Sequence, residues 1–146
     1  MLDYFKEKNI EECANILFAI YKNEPFNYFW LEYNSIVEYV TDIFNTPKFK
    51  GFIFCKGEKI VGVCLGVISD YFKIKKYRIS EIFIERQFSG KGFGTEFIRE
   101  IESVLKSENV EAIELTTDKS QRAFDFYIKN NYSIFQNNVN MVKIIK

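Results

Sequence analysis

A chain of 146 residues is long enough for one well-cored domain and short for two, and 47% hydrophobic with 18% aromatic residues supplies the material for that core. Lys+Arg and Asp+Glu both number 20, so the formal net charge is zero and nothing global draws the chain to nucleic acid or an anionic membrane. Histidine is absent, which removes Ser-His and Cys-His nucleophile pairs and the commonest transition-metal ligand, and leaves proton chemistry to Glu, Asp, Tyr, Lys, Cys or water.

The N-terminus Met1-Leu2-Asp3-Tyr4 has neither a basic leader nor an apolar one, and no run of about 18 apolar residues occurs. A cytoplasmic protein is expected. Cys13, Cys55 and Cys64 have no CxxC spacing and apolar neighbours, which suits buried thiols in a reducing compartment. From Ile10 to Tyr21 the apolar residues Ile10, Cys13, Ala14, Leu17, Ile20 and Tyr21 recur at helical spacing. A break at Asn23-Glu24-Pro25-Phe26-Asn27 precedes a second helix, predicted from about Trp30 or Leu31 to Phe44.

Two helices are thus expected ahead of the sheet. Lys50 to Lys56 reads as a strand and Lys56-Gly57-Glu58-Lys59 as a hairpin turn into a second, Ile60 to Ser69. That second run is so uniformly apolar that it suits a strand covered on both faces. Tyr77 to Ile84 is a third strand. A helix follows from Phe93 to Ser107, with Phe93, Phe97, Ile101 and Val104 or Leu105 facing inward. Then come a strand at Glu111 to Thr116, a helix at Ser120 to Asn130 capped by Ser120, and a terminal strand pair, Tyr132 to Phe135 with Asn140 to Ile145. The order predicts one α/β domain over residues 1–146, a single mixed and mostly antiparallel sheet flanked by helices on both faces.

The stretch Ser89-Gly90-Lys91-Gly92-Phe93-Gly94-Thr95 carries the chemistry, because its glycines lie between a strand and a helix start. Glycine lets the backbone turn tightly and approach a ligand, and a helix N-terminus presents unpaired N–H groups and a positive dipole end, which together suit phosphate. The nucleotide P-loop needs Gly-Lys-Ser/Thr, whereas Lys91 is followed by Gly92; the dinucleotide fingerprint needs its third glycine one residue later. A plain strand-to-helix turn remains the bland reading.

From about Lys50 onward the chain resembles the GCN5-related N-acetyltransferases. Their signature is a strand ending in an apolar triplet, a Q/R-x-x-G-x-G/A loop and an amphipathic helix, similar to Glu81-Ile82-Phe83-Ile84, Ser89 to Gly94 and the helix to Ser107. Their second motif, N-x-x-A-x-x-F-Y-x-x-x-G-F, resembles Ser120-Gln121-Arg122-Ala123-Phe124-Asp125-Phe126-Tyr127-Ile128-Lys129-Asn130-Asn131-Tyr132. Ser89 stands where the family has Gln or Arg, and the other register, Gln87-x-x-Gly90-x-Gly92, misplaces the helix start. Ser120 replaces Asn, and Asn131 replaces a Gly at a position where a left-handed Asn is the next-best residue.

The resemblance implies acetyl-CoA as co-substrate, with no metal and no covalent enzyme intermediate. Its diphosphate would lie on the backbone of Ser89, Gly90, Lys91, Gly92, Phe93, Gly94 and Thr95, with Ser120 nearby, and Lys91 is either an added charge or an ordinary solvated lysine. Backbone groups of Ile82, Phe83 and Ile84 would pair with the pantetheine arm and polarise the thioester carbonyl, while their side chains pack. Tyr127 is the implied general acid and Glu81 the implied base, with Glu114 in reserve.

The acceptor is expected to be a small-molecule amine, held near Glu24, Phe26, Trp30 and Tyr33 with Tyr71 and Phe72, since carboxylate beside aromatics attracts an ammonium. Trp30 and Phe26 serve equally well as staples between helices. A peptide amine acceptor is the alternative substrate, and a non-catalytic acyl-CoA sensor is the alternative function. Neither nucleic acid nor membrane is an expected partner, and a homodimer is left open.

Overall fold

The computed structural model describes residues 1–146, apart from the side chain of Tyr71. Two compact units make up the chain, Met1–Leu115 and Thr116–Lys146. The first is built on a sheet of order β1 (Leu2–Tyr4), β2 (Phe49–Lys56), β3 (Lys59–Tyr71), β4 (Ile74–Ile84) and β5 (Ala112–Glu114). Neighbours are antiparallel except β4 and β5, which run parallel, so the sheet is mixed and mostly antiparallel as expected.

Helices α1 (Ile10–Lys22) and α2 (Tyr33–Phe44) lie on one face of this sheet. Cys13, Ala14 and Leu17 of α1 and Ile36 and Val40 of α2 bury against Ile53, Val63 and Leu65. On the opposite face Phe97 of α3 (Phe93–Ser107) stacks on Phe54 at 5.3 Å, and Ile98, Ile101 and Leu105 are buried with it. Removing these apolar faces from water is the main drive for the two-sided packing. Cys13 and Cys64 are buried as expected, whereas Cys55 is only half-buried.

The start of the chain differs from expectation. Leu2–Tyr4 pairs with Phe52 to Phe54, so an edge strand precedes the helices. Three residues are too few to show a period. The second helix also begins later, at Tyr33, because residues 23–32 fold back on the end of α1. There the Tyr28 N–H donates to the Tyr21 carbonyl at 2.8 Å, and Lys22 Nζ donates to the carbonyls of Phe29 and Leu31 at 2.7 and 3.2 Å.

One irregularity of β4 sets up the site. Leu65 faces Glu81 across the β3–β4 ladder while the next residue, Gly66, faces Ile79, so Ser80 is an extra residue on β4. In a regular strand Tyr77 and Glu81 share a face. Tyr77, however, lies edge-on to Phe52 with its hydroxyl 3.6 Å from Cys64 Sγ, whereas Glu81 sits with Leu65 on the face that carries α1 and α2. A one-residue bulge reverses the side chains beyond it.

In the second unit α4 spans Arg122–Lys129. It ends with Asn131 at φ +69°, the Tyr132 N–H donating to the Tyr127 carbonyl at 2.9 Å and the Asn131 N–H to that of Ile128 at 3.1 Å. This is a Schellman closure with Asn in the left-handed position, as the sequence suggested. The expected start does not form: Gln121 is the N-cap, and Ser120 turns back to donate its N–H and Oγ–H to Asp118 Oδ1 at 2.8 and 2.7 Å, an Asx-turn. The expected strand pair at Tyr132 to Phe135 and Asn140 to Ile145 does not form either. Met141, Val142 and Ile145 are exposed, and an apolar run becomes a strand only where a neighbour completes its hydrogen bonds.

Candidate active site

The turn after β4 begins with a short 3-10 segment at Arg86–Phe88, closed by the Ser89 N–H donating to the Arg86 carbonyl at 3.0 Å. Gly90 and Gly92 follow at φ +74° and +83°, where a side chain is strained. A Cβ at either position would meet nothing within 4 Å, so the space over the turn is open. Gly92 is the N-cap of α3, with no side chain capping the helix. Among the described residues, the N–H groups of Gly90, Lys91, Gly92, Phe93, Gly94 and Thr95 donate no hydrogen bond. Six consecutive free donors at the positive end of a helix dipole suit an anion.

Lysines surround this turn. Lys56 at the end of β2 lies over the Phe93 ring, 4.6 Å from its centroid, and pairs with Glu96 at 3.5 Å. Lys59 and Lys91 lie 5.3 and 6.0 Å from the Phe88 centroid, and Lys59 also pairs with Glu85 at 3.5 Å. The β2–β3 hairpin therefore brings Lys56 and Lys59 beside a turn far on in the chain. No local spacing exposes that proximity; only the hairpin register does. Free amides and left-handed glycines, with Lys91 beside them and the ion-paired Lys56 and Lys59 close by, fit the diphosphate of a coenzyme.

Upstream on β4, Ile82, Phe83 and Ile84 are half-buried and pair with Cys64, Val63 and Gly62 of β3. Their other edge is open among the described residues, since β5 pairs only with Lys76 to Arg78. An unpaired strand edge beside a turn of free amides is a place where an extended arm bearing amides can add its own hydrogen bonds.

Glu81 is held from two helices. The hydroxyl of Tyr21 on α1 and that of Tyr39 on α2 both donate to Glu81 Oε1 at 2.8 Å. Burial raises the carboxyl above its ordinary value of 4.5, and the two phenol hydrogen bonds oppose that rise. Burial and then the Glu81 charge push both phenols upward, so they stay protonated and donating. Tyr21 in turn stacks on Tyr28 at 5.6 Å and meets Phe26 edge-on at 4.9 Å, and Tyr28 stacks on Trp30 at 5.3 Å. A ladder of rings thus leads from the carboxylate to an indole that is 75% exposed.

The other expected residues are distributed unevenly. Phe26 and Trp30 join the ladder at Glu81, whereas Glu24 is exposed and Tyr33 packs edge-on against Phe18 at 5.7 Å, within the helix core. The side chain of Tyr71 lies outside the described residues, and Phe72 at the β3–β4 turn is 91% exposed. Glu114 is within 3.8 Å of Lys76 and 3.9 Å of Arg78, an ion-paired place on β5. In the second unit Tyr127 is buried, with ring contacts to Phe126 at 5.3 Å and Tyr132 at 5.4 Å. Sequence reasoning put Tyr21 among the apolar residues at helical spacing on the first helix and passed over Tyr28 and Tyr39. The available signal was a phenol on an inward helix face, whose hydroxyl needs a partner.

The family model described as "Acetyltransferase (GNAT) family" matches residues 10–132, and the chain belongs to that family of acetyltransferases. Solved structures agree on the fold. A possible acetyltransferase from Clostridium difficile 630 superposes with a TM-score of 0.83 at 14% identity, covering 100% of this chain and 98% of that one. A transcriptional regulator from Bacillus halodurans C-125 gives 0.77 at 19% identity, covering 98% and 99%. An aminoglycoside acetyltransferase from an uncultured soil metagenomic sample, in complex with sisomicin, gives 0.75 at 15% identity, covering 100% and 96%. No curated protein matches the sequence. Among the described residues, no helix is long and apolar enough to cross a membrane.

Proposed function

We propose that the protein is an N-acetyltransferase that carries the acetyl group of acetyl-CoA to the primary amine of a small molecule, by direct attack in a ternary complex. The observation that carries this reading is the pairing on one strand of a half-buried, doubly hydrogen-bonded carboxylate, Glu81, with an amide-rich turn that begins a few residues further on. The amides of Gly90 to Thr95 hold the diphosphate, with Lys56, Lys59 and Lys91 adding charge. The open edge of Ile82 to Ile84 takes the pantetheine arm, and one of its N–H groups polarises the thioester carbonyl.

When bound, acetyl-CoA supplies an activated acyl carbon that an amine nitrogen can attack. An amine arrives mostly as ammonium and must lose a proton before or as the N–C bond forms. Glu81 takes that proton, and its raised basicity makes it a better acceptor than an ordinary surface carboxylate. Tyr127 donates its hydroxyl proton to the leaving sulfur as the C–S bond breaks, a role assigned from its place in the Phe126-Tyr127 motif of the family. The Trp30 ring, exposed at the outer end of the ladder, supplies a face for the cationic acceptor.

A panel of small amines and peptide amines, read by acetyl-CoA-dependent release of CoA thiol, tests the proposal. With an accepted amine in hand, Glu81→Gln and Tyr127→Phe are each expected to lower turnover by about 10²-fold or more, with acetyl-CoA affinity unchanged. Unaltered turnover in both variants contradicts the mechanism. Acetyl-CoA binding without transfer to any amine favours a sensor.

A further inference from the structure

We propose that Tyr21 and Tyr39 are positioning residues for the base: by donating both phenols to one oxygen of Glu81, they fix its carboxylate and leave the other oxygen as the proton acceptor. This rests on the reading of Glu81 as the base.

The geometry is specific. Each phenol comes from a different helix, and both reach Oε1 at 2.8 Å. Two O–H donors occupy the acceptor sites of that oxygen. Oε2 accepts no hydrogen bond among the described residues, so its lone pairs are the free ones. The Ser80 bulge is what turns this carboxylate toward α1 and α2 at all.

The same pair governs the charge state. Burial alone drives a carboxyl toward its neutral form, which cannot take a proton, and only hydrogen bonds to the charged form oppose this. Among the described residues, the other titratable group that feels the Glu81 charge is Cys13 on α1, whose buried thiol sits up at about 12 and stays neutral. Tyr28 reaches Glu81 only through Tyr21, and the cross-strand neighbour on β3, Leu65, does not titrate. No Lys or Arg forms an ion pair with Glu81 among the described residues. With no cation to keep it ionised, the carboxylate depends on the phenols.

The arrangement also ties the base to the acceptor side of the molecule. Tyr21 is at once the donor to Glu81 and the inner ring of the ladder that ends at Trp30. An acceptor that shifts the ring stack therefore shifts the carboxylate with it.

The test is a titration of the Glu81 carboxyl carbon by NMR in the full chain labelled with ¹³C-glutamate, using Glu81→Gln to assign the signal. Tyr21→Phe and Tyr39→Phe are each expected to raise its midpoint by about one pH unit, and the double variant by more. Tyr39 is partly exposed, so its variant carries the test if Tyr21→Phe fails to fold. A lowered melting temperature with an unmoved midpoint makes the tyrosines merely structural and overturns the proposal.

The pH profile of kcat/KM with an accepted amine separates the two readings. The acid limb is expected to vanish in Glu81→Gln and to move to higher pH in the tyrosine variants. An acid limb that survives Glu81→Gln removes Glu81 as base, and this inference with it. A limb lost in Glu81→Gln but unmoved by the tyrosine changes overturns this inference alone.

Discussion

The two ends of α3 are treated in opposite ways. At its C-terminus a Schellman closure is complete: Asn109 takes φ +63°, the Val110 N–H donates to the Leu105 carbonyl at 2.9 Å, and the Asn109 N–H donates to that of Lys106 at 3.1 Å. Glu108 there accepts from Tyr4 Oη at 2.9 Å and from Lys50 Nζ, while its carbonyl accepts from Lys75 Nζ at 3.1 Å. At the N-terminus no side chain caps the helix, and among the described residues the amides from Gly90 to Thr95 donate no hydrogen bond. A helix closed at one end by its own chain leaves the donors of its other end available to water or to an anionic ligand.

Substitutions at the two ends sharpen that contrast. Gly92→Val puts a β-branched residue at φ +83°, a strain of about 1–3 kcal/mol. Relieving that strain re-aims the free amides, so acetyl-CoA affinity, read by calorimetry, is expected to fall by about tenfold or more. Lys56→Ala removes one cation beside the turn. A loss of about threefold to fivefold is expected, shrinking as salt is added, because exposed charges are screened.

Glu108→Gln acts at the closed end and is expected to leave acetyl-CoA affinity unchanged. Hydrogen bonding from Lys50 is the largest cause holding the Glu108 carboxyl below its ordinary 4.5. A depressed value means stability that is present above 4.5 and lost as pH falls through the lowered value. The pair is partly exposed, so chemical denaturation is expected to show a loss of only about 0.5–1 kcal/mol at neutral pH, and less in acid. A changed affinity in this variant would break the contrast between the two ends.

The same contrast explains what the sequence made legible. A site built from backbone needs glycine and a helix start, and both are local: Gly90, Gly92 and the repeat Phe93, Phe97, Ile101 and Val104 or Leu105, of which Leu105 is the buried one, located the turn and the bounds of α3. Asn131 at its left-handed position was legible for the same reason. The site around Glu81 is built from side chains of three elements far apart in sequence. Glu81 itself was singled out, but its partners depend on the extra residue Ser80, which reverses the facing of β4 and leaves no mark in the alternation of a half-apolar strand.

Pairing that depends on distant register was the least legible. The short edge strand Leu2–Tyr4 was missed, and the apolar residues after Tyr132 suggested strands where the chain forms none. Ser120 was read as a cap because its residue type suits one, but Asp118 two positions earlier competes for the same hydroxyl.

The most direct test of the open helix end is calorimetric titration of the whole chain with acetyl-CoA beside acetyl-pantetheine, which carries the same thioester and arm but neither the diphosphate nor the nucleotide beyond it, so that the Gly92→Val variant assigns the difference to the turn. Two or more charge-assisted hydrogen bonds from the free amides predict affinity for acetyl-CoA at least about tenfold higher, and a Gly92→Val variant should erase most of the difference. Equal affinity for the two compounds, or no binding of either, would contradict the account.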